Sequence, residues 1–267
     1  MKVYLCAIGK NENRYIKEWV DYHLSIGFDK IILFDNNDVD GERFETVLQS
    51  YVYDDKVELV YVRGKEKQQL PSYEYAYKRY ESVCDWMAFF DCDEFLTFAD
   101  GVDLKHWIFY LDKINLGVDC IYVNWMCYGD CENLFYDNKP VLERFPDPLP
   151  FHKCTIYEFP QNCHVKSIVK TGSKTISFSN PHTPDNNNFI YCSPSGCVLS
   201  HYTPFLSYDY SFAWLRHYTT KTISEWKDKM NKGYPDQSKE ESKKNLTFDM
   251  FFKWNEKTEE KLKIANE

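Results

Sequence analysis

The sequence has no apolar run approaching about 18 residues, the length that a helix needs to cross a bilayer, so we expect no membrane span. The apolar run at residues 3–8 is too short for the core of a secretory signal, and we therefore expect a cytoplasmic protein. Neither a Walker A sequence nor Gly-x-Gly-x-x-Gly occurs, which excludes a P-loop and the dinucleotide fingerprint. Internal repeats and low-complexity tracts are also lacking.

Positive charge is in deficit, with 32 Lys and Arg against 41 Asp and Glu and a formal net charge of −9. Such a chain is a poor general nucleic-acid binder, and we expect no nucleic-acid partner. A small anionic substrate held by local cations or by a metal remains open. The 10 cysteines form no Cys-x-x-Cys pair and no tight Cys/His cluster, which predicts reduced thiols rather than disulfides or a zinc site.

Apolar patterning is strong in the 267 residues, of which 43% are hydrophobic and 18% aromatic. In the first 100 residues, short apolar runs alternate with segments whose apolar residues recur every three to four positions. This alternation predicts an α/β fold with a mostly parallel central sheet flanked by helices. We expect further strands at 119–125, 165–169 and 175–178, and helical structure from residue 207 onward.

Three acids follow the apolar run at residues 86–90, namely Asp91, Asp93 and Glu94. Ligands bind at the carboxyl ends of the strands in open α/β sheets. Carboxylates that meet there repel one another and are costly to bury, and a divalent cation would remove that cost. The segment therefore predicts a Mg²⁺ or Mn²⁺ site at Asp91 and Asp93 that bridges to phosphate oxygens. A loop of solvated acids is the alternative.

Two more loops are expected at the same edge of the sheet. Asp35 follows the second apolar run, where a carboxylate can accept hydrogen bonds from a ribose or a base, and Asn36 begins a stretch typical of a turn. The loop after the first run could line a base pocket through its backbone. Its Asn11 or Asn13 could equally cap the following helix.

Three loops, in this order along the chain, resemble those of GT-A fold glycosyltransferases of families 2 and 92 and of bacterial enzymes that build surface polysaccharides. They are Lys10-Asn11-Glu12, Asp35-Asn36-Asn37 and Asp91-Cys92-Asp93-Glu94-Phe95. Matches between residues 125 and 182 and at 217–233 extend the resemblance over residues 1–235. It implies a Rossmann-like nucleotide-sugar-binding domain at 1–235, with a nucleotide-binding half at 1–100 and an acceptor-binding half at 101–235. A helical C-terminal tail at 236–267 lies outside it.

The resemblance also implies an activity, the transfer of a sugar from a UDP-sugar to a glycan or lipid-linked saccharide in cell-surface polysaccharide synthesis. It implies inversion at the sugar and Mn²⁺ or Mg²⁺ on the diphosphate. By position, Asp93 would bind the metal, and Asp91 the ribose or the metal. The residues implied to hold the nucleoside are Ala7, Ile8, Glu12, Asp35 and Asn36.

A histidine is implied as a further metal ligand, and His182 and His217 compete for this role. We favour His217 because Lys221 follows four residues later, which on a helical turn places both side chains on one face. The ammonium of Lys221 would then stabilise the leaving diphosphate. For either histidine, a polar surface role is the alternative.

An inverting transferase needs a carboxylate base near the acceptor hydroxyl. Asp130, Glu132 and Asp185 are the candidates. We prefer Asp130 because its loop is expected to overhang the metal. A solvated surface position is the alternative for each of them.

The tail combines aromatic residues with lysines, which suggests a docking role. Docking on the catalytic domain or on a second subunit of a homodimer is favoured over contact with the inner face of a membrane that carries the acceptor. The apolar residues concerned are Phe248, Met250, Phe251, Phe252 and Trp254.

Two other functions remain open. One is an Asp-x-Asp phosphotransferase or phosphatase with Asp91 as nucleophile, although Phe95 stands where such enzymes usually carry Thr or Val. The other is a non-catalytic module that binds a sugar or a metal. Such a module would bind UDP in a metal-dependent way without turnover.

Overall fold

The structure is a computed structural model that describes residues 1–114, 117–150, 155–156, 159–172, 174–199 and 201–266. Within these ranges, strands and helices alternate through the first half of the chain. The strands are β1 Val3–Gly9, β2 Lys30–Asp35, β3 Val57–Tyr61, β4 Trp86–Phe89, β5 Glu94–Phe98, β6 Cys120–Cys127, β7 Thr155–Ile156, β8 Phe159–Pro160, β9 Val165–Lys170, β10 Tyr191–Cys192, β11 Val198–Leu199 and β12 Ala213–His217. The α-helices are α1 Ile16–Ser25, α2 Glu45–Tyr53, α3 Gln69–Tyr80, α4 Leu104–Ile114, α5 Val141–Arg144, α6 Ile223–Lys232, α7 Lys239–Asn245, α8 Phe248–Trp254 and α9 Glu259–Asn266.

The main sheet has the strand order β11-β10-β6-β9-β4-β1-β2-β3. Strands β3, β2, β1 and β4 form a parallel half of this sheet. Along the chain, α1 connects β1 to β2, α2 connects β2 to β3, and α3 connects β3 to β4, as crossover helices do between parallel strands. In the other half, β9 runs antiparallel to both β4 and β6. Strand β12 pairs with β6 and with β5. The predicted α/β class is confirmed, with a parallel first half and a mixed second half.

The central strands are buried on both faces, which explains their continuous apolar runs. Along β1, Val3, Leu5 and Ala7 enter the core that contains α1 residues. The alternate residues Cys6 and Ile8 enter a second core, which contains α3 residues. The period of two in a strand thus distributes one apolar run between two layers of helices.

Two sequence predictions of secondary structure are wrong. Residues 175–178 form no strand in this part of the described chain. The segment expected to be helical from residue 207 contains β12, in which Ala213, Leu215 and His217 are buried and the residues between them are half-buried. That alternation is typical of a strand, and helix α6 begins only at Ile223, after the capping box of Thr222.

The tail helices α7 to α9 follow α6, and α6 contacts both α7 and α9. A third hydrophobic cluster joins Trp226 of α6 to Leu246 and Phe251 of the tail. Phe251 and Trp254 are buried, so these two aromatic side chains are not available to a membrane surface. The tail therefore docks on the rest of the chain, as the favoured hypothesis expected.

No helix in the described ranges is long and apolar enough to cross a membrane. The nine cysteines within these ranges are free thiols. Cys154 lies outside the described residues.

Candidate active site

A cleft of about 660 Å³ opens at the carboxyl ends of β1, β2 and β4, a size usual for small-molecule sites. The strand order places β2 and β3 on one side of β1 and β4 on the other, so the loops after β1 and β4 flank a topological switch point. Ile8 and Gly9 of β1 and the loop Asp91 to Asp93 after β4 line the cleft, as the sequence predicted.

Asp91 is held in place by neighbours from three elements. Its Oδ1 accepts a hydrogen bond from Gln69 Nε2 at 2.7 Å and pairs with Lys166 Nζ at 3.1 Å, although the Lys166 side chain is fully buried. Glu94 fixes the position of this loop, because its carboxylate accepts hydrogen bonds from the Asp91 backbone N–H at 2.8 Å and from Trp125 Nε1 at 2.7 Å. Glu94 is buried, and burial raises its pKa.

Asp93 faces two nitrogen-bearing side chains that come from the C-terminal part of the chain. Lys229 Nζ lies 2.9 Å from its Oδ2, and His217 Nε2 lies 3.7 Å from its Oδ1. Burial alone would raise the pKa of Asp93, but Lys229 and neighbouring positive charges hold this pKa below its usual value. Lys166 and Lys229 thus offset the carboxylate repulsion that the sequence analysis assigned to a metal.

The two candidate histidines differ in what they contact. His217 ends β12 beside Asp93, and burial lowers its pKa to about 3, so its imidazole is neutral. Its Nδ1 is buried and has no hydrogen-bond partner among the described residues. His182 lines the cleft too, but its Nδ1 donates to the Val165 carbonyl at 3.0 Å. Of the two, the structure brings His217 within 4 Å of Asp93.

The donor atoms at this point suit a divalent cation in type. Asp91 and Asp93 offer carboxylate oxygens, and His217 is neutral, the state in which histidine binds metals. Among the described residues, however, no three His, Cys, Asp or Glu side chains are arranged to hold a metal by themselves. A metal here would need further oxygen ligands from a bound phosphate group. Metal binding therefore stays a prediction.

The nucleoside residues implied by the resemblance fall into two groups. Ile8, Glu12 and Asn36 line the cleft, whereas Ala7 and Asp35 are fully buried behind it. Gly9 lies beside these residues, where a Cβ would come within 3.0 Å of Phe44 Cζ and 3.2 Å of Cys92 Sγ, so a larger residue would have to displace one of these side chains.

Asp35 forms a buried ion pair and does not face the cleft. Its Oδ2 accepts from Arg63 Nη1 at 2.6 Å, and its Oδ1 accepts from the Asn37 backbone N–H at 2.9 Å. Arg63 also donates to the carbonyls of Asp38 and Glu42. Asp35 therefore shapes the loop through Arg63, and it is Asn36 that reaches the cleft.

Lys221 does not share a helical face with His217, because His217 ends a strand and Lys221 lies in the following turn with a φ of 50°. Its ammonium is buried and lies 4.7 Å from the ring centre of Tyr15. The cations that line the cleft from this region are Lys229 and Lys232 of α6. Sequence reasoning missed their role. Their spacing of three residues on one helix was the available signal.

The three candidate bases lie away from the described wall of the cleft. Asp130 is buried and pairs with Lys261 Nζ of α9 at 2.5 Å. Its backbone N–H donates to Asn255 Oδ1 at 2.7 Å, so this loop is fixed to the tail. Glu132 is exposed. Asp185 is half-buried, and its backbone N–H donates to the Ser177 carbonyl.

A family model described as glycosyltransferase family 92 matches residues 2–253. The chain belongs to glycosyltransferase family 92. The match extends into the tail, which the sequence resemblance left out. Family membership and the central sheet confirm the predicted fold class, and they argue against the phosphotransferase alternative.

Relatives of this family 92 chain occur in plants. It is 31% identical over 102 residues to a family 92 protein of Ricinus communis, covering 38% of this chain and 18% of that protein. It is 32% identical over 101 residues to one of Oryza sativa subsp. japonica, covering 38% and 17%. These matches span less than a fifth of the length of the curated relatives.

Similar solved structures are more distant. TarS of S. aureus has a TM-score of 0.46 and 10% identity, covering 94% of this chain and 43% of that chain. The mannosyltransferase PcManGT from Pyrobaculum calidifontis, in complex with GDP-Man and Mn²⁺, has a TM-score of 0.35 and 11% identity, covering 46% and 35%.

Proposed function

We propose that this chain transfers a sugar from a nucleotide-sugar donor, with UDP as the nucleotide, to a glycan or lipid-linked saccharide of a cell-surface polysaccharide pathway. Besides membership of family 92, one structural observation supports this proposal. Asp91 and Asp93 stand at the switch-point edge of the sheet, and Lys229 and Lys232 line the same cleft.

The donor would lie along this edge. Ile8, Glu12 and Asn36 would contact the nucleoside, and the diphosphate would lie over Asp91 and Asp93. Lys229 and Lys232 supply fixed positive charge where negative charge develops on the leaving diphosphate. Because these cations are positioned by the fold, they need no rearrangement during the reaction.

Asp91, Asp93 and His217 would hold the divalent metal, Mn²⁺ or Mg²⁺. When bound, such an ion neutralises charge on the diphosphate and orients it. Lys229 pairs with Asp93 Oδ2, so Asp93 Oδ1, the atom nearer to His217, is the oxygen that would face the metal.

Inversion needs a carboxylate to take the proton from the acceptor hydroxyl as its oxygen attacks the sugar carbon and the bond to the diphosphate breaks. Four acids that line the cleft are already in ion pairs. Glu66 and Asp249 line it as well but are exposed. Asp236 is half-buried, and burial together with the charge of Asp91 raises its pKa, which suits a base. We infer that Asp236 takes this role. The four paired acids are Glu12, Asp38, Asp91 and Asp93.

Nucleotide binding tests the proposal first, because a ligand that binds only the folded state raises the melting temperature. We expect UDP to raise Tm much more with Mn²⁺ or Mg²⁺ than with excess chelator, and GDP to act as the control nucleotide. Equal shifts by UDP with and without chelator would refute the metal. No shift by any nucleotide would refute the nucleotide site.

The base is tested by Asp236→Asn, with Asp249→Asn as the matched control on the same cleft. We expect UDP binding to persist in both variants. Release of UDP from a panel of UDP-sugars should fall about 100-fold in Asp236→Asn alone. Full activity in this variant would show that the base lies elsewhere.

A further inference from the structure

The outer part of the cleft is made by the C-terminal tail, through residues of α7, of α8 and of the connection between them. We call this surface the tail wall. It is separate from the strand-end loops that surround Asp91 and Asp93. Its residues include Lys244, Thr247, Met250, Lys253 and Trp254.

Trp254 brings an unused hydrogen-bond donor to the tail wall. It is only 2% exposed, and its buried Nε1–H has no acceptor among the described residues. Trp226 and Trp107 use this donor, to the Thr247 carbonyl at 3.1 Å and to the Pro194 carbonyl at 2.9 Å, whereas the buried Nε1–H of Trp214, like that of Trp254, has no acceptor among the described residues. A buried N–H without an acceptor is costly, and Trp254 lines the cleft, so a small displacement of the tail-wall side chains on ligand binding would let a ligand oxygen accept from it.

The tail wall also carries unpaired positive charge. Lys244 and Lys253 are exposed and form no ion pair within the described chain, whereas Lys229 and Lys232 deeper in the cleft are paired. One acid, Asp249, lines the cleft beside them. Two free ammonium groups against one carboxylate make this surface locally cationic in a chain of net charge −9. Such a surface attracts anions.

We propose that the tail wall is the acceptor subsite and that it binds a saccharide carrying a carboxylate or a phosphate. This rests on the proposed function, since it assumes that the donor occupies the strand-end part of the cleft. The half-buried Met250 offers apolar surface to a sugar ring, and the indole N–H of the buried Trp254 would donate to one of the sugar oxygens. Lys244 and Lys253 pair with the negative group.

The test is calorimetry on the full chain with UDP and Mn²⁺ present and with three probes. Trigalacturonate carries carboxylates, glucose 1-phosphate carries a phosphate, and maltotriose is neutral. We expect at least one anionic probe to bind more tightly than maltotriose, and the stronger of the two identifies the source of the charge. Equal affinity for all three would overturn the proposal.

Two matched double variants separate the tail wall from general charge. K244Q/K253Q should weaken the anionic probe roughly ten-fold and leave UDP and maltotriose unchanged, since each exposed ion pair contributes a few-fold. K243Q/K263Q removes the same charge from the tail away from the cleft and should change nothing. Equal losses in both variants, or a loss of UDP affinity in K244Q/K253Q, would overturn the proposal.

Trp254→Phe keeps an aromatic ring and removes the N–H. We expect it to weaken the anionic probe and maltotriose alike by a few-fold, as for a hydrogen bond to a neutral sugar oxygen, with UDP affinity unchanged. Unaltered probe binding would exclude the indole as a donor. If UDP fails to bind the wild type, the proposed function fails. The probe series repeated without nucleotide then still decides whether the tail wall binds an anionic saccharide.

Discussion

The acidic and the basic sides of the cleft are built in different ways. Asp91 and Asp93 belong to one short loop, so their grouping is visible in the sequence. The cation that faces Asp93, Lys229, lies 136 positions later and is brought there by α6. The acidic side of the cleft is therefore visible as a contiguous motif in the sequence. The basic side, which neutralises it, is assembled only by the fold.

The largest effect is expected on the acidic side. Asp93→Asn removes a candidate metal ligand and leaves Lys229 without its carboxylate. We expect the release of UDP from a UDP-sugar to fall about 1,000-fold and the metal-dependent rise in Tm with UDP to disappear. The exposed Asp249→Asn is the matched control. Retained turnover in Asp93→Asn would show that the loop after β4 is not the chemical centre.

The next effect concerns the tail, which Asp130 ties to the rest of the chain. Lys261→Met leaves the buried Asp130 carboxylate uncompensated, and we expect a loss of about 3 kcal/mol in the free energy of unfolding by urea. The double variant Asp130→Asn with Lys261→Met should recover part of this loss. Wild-type stability in Lys261→Met would mean that the pair at 2.5 Å contributes little.

The sequence predicted the parallel half of the sheet well, because buried strands such as β1 and β4 are continuous apolar runs followed by polar loops. It placed Ile8, Asn36 and Asp91 at the edge where the cleft lies. Local periodicity and strand-end chemistry suffice for these residues, since each is fixed by neighbours within a few positions.

The second half could not be predicted in this way. Strand β12 is short and half-buried, so its alternation was hidden beside the longer helical signal of α6. The sequence favours Asp130 as the catalytic base because its partner, Lys261, comes from the far end of the chain and cannot be foreseen from neighbouring positions. The resemblance implies that Asp35 contacts the nucleoside, and its ion pair with Arg63 cannot be foreseen because Arg63 belongs to another loop.

The basic side is probed by Lys229→Met, which removes the ammonium and keeps the length of the side chain. Turnover should fall roughly 10- to 100-fold, because a fixed charge near the leaving diphosphate is lost. The metal dependence of UDP binding should remain, unlike in Asp93→Asn. Lys227→Met, on the same helix but not on the cleft wall, is the control. Loss of metal dependence in Lys229→Met would mean that this lysine orients Asp93 for the metal.

The smallest expected effect is on Mn²⁺ affinity, and it distinguishes His217 from His182 as the metal ligand. His217 is buried and His182 is half-buried, and both are neutral because desolvation lowers the pKa of each. They differ in that His182 uses Nδ1 to hold the Val165 carbonyl, whereas His217 points Nε2 toward Asp93. With UDP bound, His217→Gln should therefore weaken Mn²⁺ about ten-fold in a calorimetric titration, and His182→Gln should not.

The reverse result for the histidines would place the metal toward β9, where His182 is anchored through Val165, and away from β12. No change in either variant would leave Asp91, Asp93 and the diphosphate as the metal ligands. His217 would then serve only to pack against Trp125, whose ring centre lies 4.1 Å from its own. In that case the last strand contributes shape to the site, and the chemistry of its basic side rests on α6 alone.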